Sequence, residues 1–544
     1  MKFKNIFITV FIFIGIISAQ TPINNSGGPL IPEQAAYNVK FYDIGIVVNP
    51  ADSMIIGDVS VNAEVFSPLE WFVVDLDTVY KIISIEEKYF DGKNVPIKFE
   101  REVGKIWIHL NEKKETNERV AVRIKYSGKP RIAPHPPWDG GFTWAKTKDG
   151  SPWISTTCQL NGADLWWPCK DHPSDEADSV ALHFTVPDPL VVASNGKLQS
   201  IVENKNQTST FNWFVSEPIN NYDITLNAAP YKTISKKYES TAGDTIETTF
   251  WILPEDNEKG VKIFPEFLQH LRFYEETLGP YPFRAEKYGV VETPHLGMEH
   301  QTIIAYGNQF RKGAHGFDWL HHHELGHEWW GNLVTALDWN DFWLHEGLCA
   351  FMQPLYAEKL KGKDEYFKYL REIEKGIKNN HPVAPRESKT IQAMYTDGDI
   401  YAKGAWVLQT LRYLVGDKDF FTILRRFAYP DPAMEKVTDG SQCRFATTDD
   451  LLKTAEKHSG MKLDWFFEVY FRQPKLPKLI SELSGETLTL KWKTPNDLAF
   501  YLPVEVKIGD KAERIEMKDG TAEVNIPAGI KYEIDPEGLI LKSE

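Results

Sequence analysis

Hydrophobic periodicity changes twice along this chain, and those two changes constrain its architecture more than any other feature. From about residue 35 to 235, short runs alternate apolar and polar residues, as in Met54-Ile55-Ile56-Gly57-Asp58-Val59-Ser60-Val61 and Val120-Ala121-Val122-Arg123-Ile124. Alternation places every second side chain on one face of a strand. Turn residues such as Asp91-Gly92 and Asn195-Gly196 separate the runs. After about residue 255 the apolar spacing becomes helical, over Val261–Leu278, Trp319–Val334, Trp343–Leu360 and Ala402–Leu414. Gln473-Pro474-Lys475-Leu476-Pro477 closes that part. Alternation then returns in Thr487-Leu488-Thr489-Leu490-Lys491-Trp492 and Val504-Glu505-Val506-Lys507-Ile508. The expectation is a multidomain α+β protein: an N-terminal β domain over 20–236, a helix-rich domain over 237–473 and a small β-sandwich over 478–544. A length of 544 residues, at about 100–200 residues per domain, fits three to five such units.

Residues 1–19 read as a signal peptide. Lys2 and Lys4 give a positive start, an apolar stretch runs from Ile6 to Ile17, and Ser18-Ala19 offers small residues for cleavage before Gln20. The alternative is an uncleaved anchor, but the apolar run falls short of the ~20 residues that a span requires. The expectation is therefore export to the periplasm or the medium, with no stable membrane anchor after cleavage. The formal charge of −15, with no long basic run, argues against nucleic acid as a partner. Four cysteines (Cys158, Cys169, Cys349 and Cys443) are too few for a disulfide scaffold. Either Cys158 pairs with Cys169, its near neighbour in sequence, or the thiols are buried and free.

The helix-rich part holds the unusual chemistry. His321-His322-His323-Glu324-Leu325-Gly326-His327 contains one HExxH pattern, beginning at His323. Residues four apart share a helix face, so His323 and His327 can grip one zinc ion with Glu324 beside it. A third protein ligand leaves a fourth position open. Nineteen residues after His327 stands Glu346, in Trp343-Leu344-His345-Glu346-Gly347. That gap lets one helix finish, the chain turn, and a second helix run back with its carboxylate toward the metal. His321 and His322 project from other faces and are not expected to be ligands. HExxH alone can occur by chance on a solvated helix; the distant carboxylate is what raises it to a candidate site.

Here the chain resembles the gluzincin aminopeptidases of the aminopeptidase N and leukotriene hydrolase family, through residues 323–335 and Trp343 to Gly347. The resemblance implies a thermolysin-like catalytic domain, one zinc ion held by His323, His327 and Glu346, and Glu324 as general base. Glu328 replaces a usual Gln and His345 a usual Asn. Gly297-Met298-Glu299-His300 is similar to the family's GxMEN motif, whose Glu binds the free amine of a peptide; His300 stands where the motif has Asn. Gln159 matches a position that also helps hold the substrate N-terminus, and Trp167-Pro168-Cys169-Lys170-Asp171-His172-Pro173 resembles a PCxDxP stretch beside it. Ile400-Tyr401-Ala402-Lys403-Gly404-Ala405 resembles YxKGA, which assigns oxyanion stabilisation to Tyr401, with Tyr395 as second choice. The likeness continues through Phe445 to Leu451 and Leu463 to Phe467. The family's large helical C-terminal domain has no room after residue 478, so the chain is expected to close with the small β domain. The implied activity is a zinc aminopeptidase acting on peptides. The alternatives are an epoxide hydrolase like the leukotriene branch and a non-catalytic peptide-binding member, although every ligand and the base are present here.

Overall fold

The computed structural model describes residues 26–89, 92–102 and 104–544; the expected leader and Asp91 of one expected turn lie outside them. Tyr37–Asn49 lies within an eight-stranded sheet, antiparallel to Met54–Val65 and parallel to Ser179–Pro187. Its alternation explains its place: Tyr42, Ile44, Ile46 and Val48 are buried, while Val47 between them faces out. A four-stranded sheet, ordered Val191–Ala193, Asn227–Ala229, Pro152–Thr157, Gly141–Lys146, lies beyond it. The strand Pro152–Thr157 leads directly to Gln159.

The second domain opens with a five-stranded sheet of Lys232–Glu239, Thr245–Ile252, Tyr288–Glu292, Ile304–Tyr306 and Gly297–Met298. Lys232–Glu239 pairs along its length with Thr245–Ile252. This sheet therefore begins ahead of the division at 236/237 expected from the sequence, which would cut its first strand. Helix Asn257–Leu278 packs on the sheet, with Phe264 and Phe267 at ring distances of 6.1 and 5.8 Å from Phe250. Helices Trp343–Lys361 and Asp399–Val415 match their expected spans within a few residues.

The expected helix Trp319–Val334 is corrected: it stops at Gly326, and Val334–Ala336 is a strand paired with Arg444–Ala446. After His327 the backbone bonds become wide, with Asn332 N to His327 O, Leu333 N to Glu328 O and Val334 N to Trp329 O. Gly331 carries the turn at φ 140°, a conformation that only glycine adopts without strain. Trp329, Trp330 and Leu333 are buried whatever their spacing, so their helical periodicity was accidental.

Residues 478–544 form two three-stranded sheets around Leu488, Leu490, Trp492, Val504 and Val506. Tyr470 Oη, donating to Leu541 O at 2.6 Å, docks them on the helical domain. All four cysteines are free, so Cys158 and Cys169 are not paired; both are buried. Among the described residues no helix is long and apolar enough to cross a membrane.

Three buried carboxyl groups bridge the first two domains through neutral partners. Glu176 accepts from Thr335 Oγ1 at 2.5 Å, Glu217 from Gln442 Nε2 at 2.7 Å, and Glu286 from Ser216 N at 2.6 Å. Burial pushes Glu176 up to about 8, and burial together with repulsion from Glu286 pushes Glu217 up to about 9. Values raised in the folded state mean that the native protein holds protons which the unfolded chain has already released. Their contribution to stability is complete below the unfolded carboxylate range and is lost as pH rises through about 8 to 9. The melting temperature is expected to fall between pH 7 and pH 10. Glu217→Gln, which still accepts from Gln442 and never ionises, is expected to flatten that fall; an unaltered pH slope in this variant would remove Glu217 as its source.

Candidate active site

Helix Trp319–Gly326 starts on Asp318, whose side chain caps His321 N at 3.1 Å and accepts from Tyr306 Oη at 2.5 Å. His321 stacks on Phe267 at 3.7 Å and lies 2.9 Å from His270 Nδ1; His322 sits by Tyr274 Oη at 3.3 Å. These two histidines fasten the helix to the core behind it, as their faces predicted. The opposite face presents His323 and, one turn on, His327.

His327 Nδ1 is 2.9 Å from Trp330 O. A carbonyl only accepts, so Nδ1 carries a proton and Nε2 is the nitrogen left to face a metal. Glu346 projects from the first turn of helix Trp343–Lys361. Its Oε2 lies 3.2 Å from His323 Nε2 and 3.4 Å from His327 Nε2, and the two imidazole nitrogens are 3.3 Å apart. Four-coordinate zinc with N and O ligands at about 2.0–2.2 Å would space them about 3.3–3.6 Å apart, so the triad fits such an ion. Burial opposes ionisation of Glu346, but His327 and His323 outweigh it and hold the carboxyl well below its usual range. Glu346 is thus a charged ligand beside two imidazole nitrogens, a donor set suited to zinc.

A second set of donors adjoins the first. One ligand atom each from Glu299, Glu324 and His327 lies within 4.8 Å of the others. Glu299 Oε1 accepts from Gln159 Nε2 and from Tyr222 Oη, the latter at 3.2 Å. The structure therefore brings Gln159, from the first domain, onto Glu299. Tyr222 was not singled out in the sequence; the polar run Asn220-Asn221-Tyr222-Asp223, all buried, is its only trace there. Burial raises Glu299 to about 7 despite the pull of His327. Burial and then the Glu299 charge push Glu324 well up too. Two buried carboxyls this close call for cationic company.

Tyr401 lies in the first turn of helix Asp399–Val415, its ring 6.0 Å from that of His323 and 6.0 Å from that of Tyr395. Burial, and then Glu346, raise the Tyr401 phenol well above 10, so it keeps its proton and can donate. Its helix crosses the Glu346 helix at two glycines: a Cβ on Gly404 would lie 3.1 Å from Gly347 Cα, and one on Gly347 would lie 2.8 Å from Ile400 O. Lys403 Nζ, bonded to Gln473 O and Pro474 O at 3.0 and 2.8 Å, pins the same helix to the linker. His345 accepts from Ala336 N at 2.9 Å and fixes the neighbouring turn. His300 is fully buried.

Against known families, residues 38–222 match the peptidase M1 N-terminal domain and residues 269–470 match the peptidase family M1 domain. The chain belongs to peptidase family M1. Its relatives include endoplasmic reticulum aminopeptidase 1 of Mus musculus, 25% identical over 395 residues, covering 64% of this chain and 41% of that one. Probable aminopeptidase 1 of Saccharolobus solfataricus is 22% identical over 501 residues, 84% of this chain and 58% of that one. The chain thus spans about half the length of these curated relatives. The M1 zinc metallopeptidase of Deinococcus radiodurans shares the fold, with a TM-score of 0.66 at 22% identity over 81% of this chain and 95% of that one.

Proposed function

We propose that this M1 protein is an exported, zinc-dependent aminopeptidase that hydrolyses the N-terminal peptide bond of peptides. The observation that carries the reading is the placement of Glu299: a buried carboxylate, steadied by Gln159 and Tyr222, within 4.8 Å of Glu324 and His327. A peptide α-ammonium seated on Glu299 leaves room for only its first peptide bond at Glu324. Export rests on Lys2, Lys4 and the apolar stretch from Ile6 to Ile17.

A zinc ion held by His323, His327 and Glu346 would supply Lewis acidity, polarising the carbonyl and making a water acidic near neutral pH. Glu324 takes the proton of the attacking water and passes it to the leaving amine. Tyr401 donates its phenolic proton in a hydrogen bond to the developing oxyanion. Glu299 fixes which bond is cut, so one residue leaves per event.

The test compares a peptide with its N-acetylated counterpart. Leaving a buried charge without its partner costs about 3–5 kcal/mol, so acetylation is expected to reduce kcat/KM by about 10²–10³-fold or more. Equal hydrolysis of the two would overturn the aminopeptidase reading in favour of an endopeptidase.

A further inference from the structure

Glu328 follows the ligand His327 and is fully buried. Its carboxylate collects three donors. Tyr281 Oη and Thr302 N bond to Oε1 at 3.0 and 2.9 Å, and Asn332 Nδ2 bonds to Oε2 at 3.2 Å. The same Asn332 Nδ2 also donates to the backbone carbonyl of Glu299 at 3.2 Å. Thr302 adopts φ 60°, a left-handed conformation costly for a β-branched residue. Its hydroxyl is held by Gly196 N at 2.9 Å and Lys287 Nζ at 3.3 Å. Both ends of the turn Glu299-His300-Gln301-Thr302 are therefore tied to Glu328, one directly and one through Asn332.

We propose that Glu328 and Asn332 are positioning residues that hold the Glu299 carboxylate in fixed offset from His327, and so set how tightly a substrate's α-ammonium is bound. This inference rests on the aminopeptidase reading.

The donor pattern favours a carboxylate over an amide at 328. All three partners donate, and a carboxylate offers lone pairs without a proton. The amide usual at this position in the family would turn an NH2 group onto the NH2 of Asn332. Flipping Asn332 to relieve that contact would set its Oδ1 against Glu299 O, acceptor against acceptor. A Gln at 328 therefore loses one of the two ties to the Glu299 turn, whereas shape and volume are unchanged.

The experiment uses the full-length, metal-loaded protein with Glu328→Gln, Asn332→Ala and the double variant. It reads KM and kcat on a free-amine peptide, Ki for a hydroxamate that lacks an amino group, and metal content. Loss of one buried hydrogen bond to a charged group corresponds to about 10-fold. KM is expected to rise about 10-fold in each single variant, with kcat within about 3-fold, hydroxamate Ki and metal content unchanged, and the double variant weaker than the product of the two. If Glu328→Gln fails to fold, Asn332→Ser cuts the same tie and is expected to show the same split. KM values equal to wild type overturn the proposal, as do parallel rises in KM and hydroxamate Ki, or effects that multiply. A wild-type protein indifferent to N-acetylation overturns the aminopeptidase reading and this inference with it. A discriminating wild type matched by both variants overturns the inference alone.

Discussion

Glu324→Gln is expected to lower kcat by about 10²–10⁴-fold, the usual contribution of a positioned general base, while the protein keeps its metal. The two side chains share size and shape, so His323, His327 and Glu346 stay where they are; only the ability to take a proton is lost. Among the described residues no hydrogen bond reaches the Glu324 carboxylate, and a Cβ on Gly297 would sit 2.8 Å from its Oε1. It is thus a buried acid held by packing and kept open for a reacting partner. Steady-state kinetics with metal analysis on the same sample decides the matter. Wild-type turnover in the variant would move the base role elsewhere, with Glu299 the nearest other carboxylate in the cleft. Loss of metal along with turnover would show instead that Glu324 supports the ligands.

Stripping the metal is expected to have an effect at least as large. Without a cation, the pocket holds Glu299, Glu324 and Glu346 in a low-dielectric setting, with His323 and His327 nitrogens facing each other at 3.3 Å. A ligand that binds only the folded state stabilises it by about 4 kcal/mol at 1,000 times its dissociation constant. Chelation followed by dialysis is therefore expected to abolish peptide hydrolysis and lower the melting temperature, and about one equivalent of zinc per chain to restore both. Full activity after exhaustive chelation, or in a metal-free Glu346→Ala variant, would end the zinc reading.

Much of the site could be read from the sequence because its chemistry demands fixed spacing. The four-residue step from His323 to His327 and the return of the chain to Glu346 follow from helix geometry, and the structure brings the three together. Glu299, Gln159 and Tyr401 were legible only by resemblance, since a lone acid, amide or phenol carries no period. What escaped was set by tertiary packing. Trp329, Trp330 and Leu333 have helical spacing yet lie in a wide turn, because residues buried on every side carry no facial signal. Lys232–Glu239 alternates no differently from the strands before it, and only its partner reveals its sheet. Tyr222 reaches Glu299 from 77 positions away, and the three donors on Glu328 arrive from 4 to 47 positions away. Such convergence exists only once the chain is folded.

The bare-backbone crossing of Gly347 and Gly404 has a bearing on how this fold could change its diet. Backbone meets backbone at the two glycines and the Trp343 ring closes against both, so the helix separation has no slack that repacking could take up. Glu346 and Tyr401 therefore form an inelastic wall. Any give needed to admit larger or smaller terminal residues is expected instead from the turn that bears Glu299, which is tied down through the side chains of Glu328 and Asn332. Variants selected for new terminal residues would be expected to accumulate around that turn and to spare the crossing.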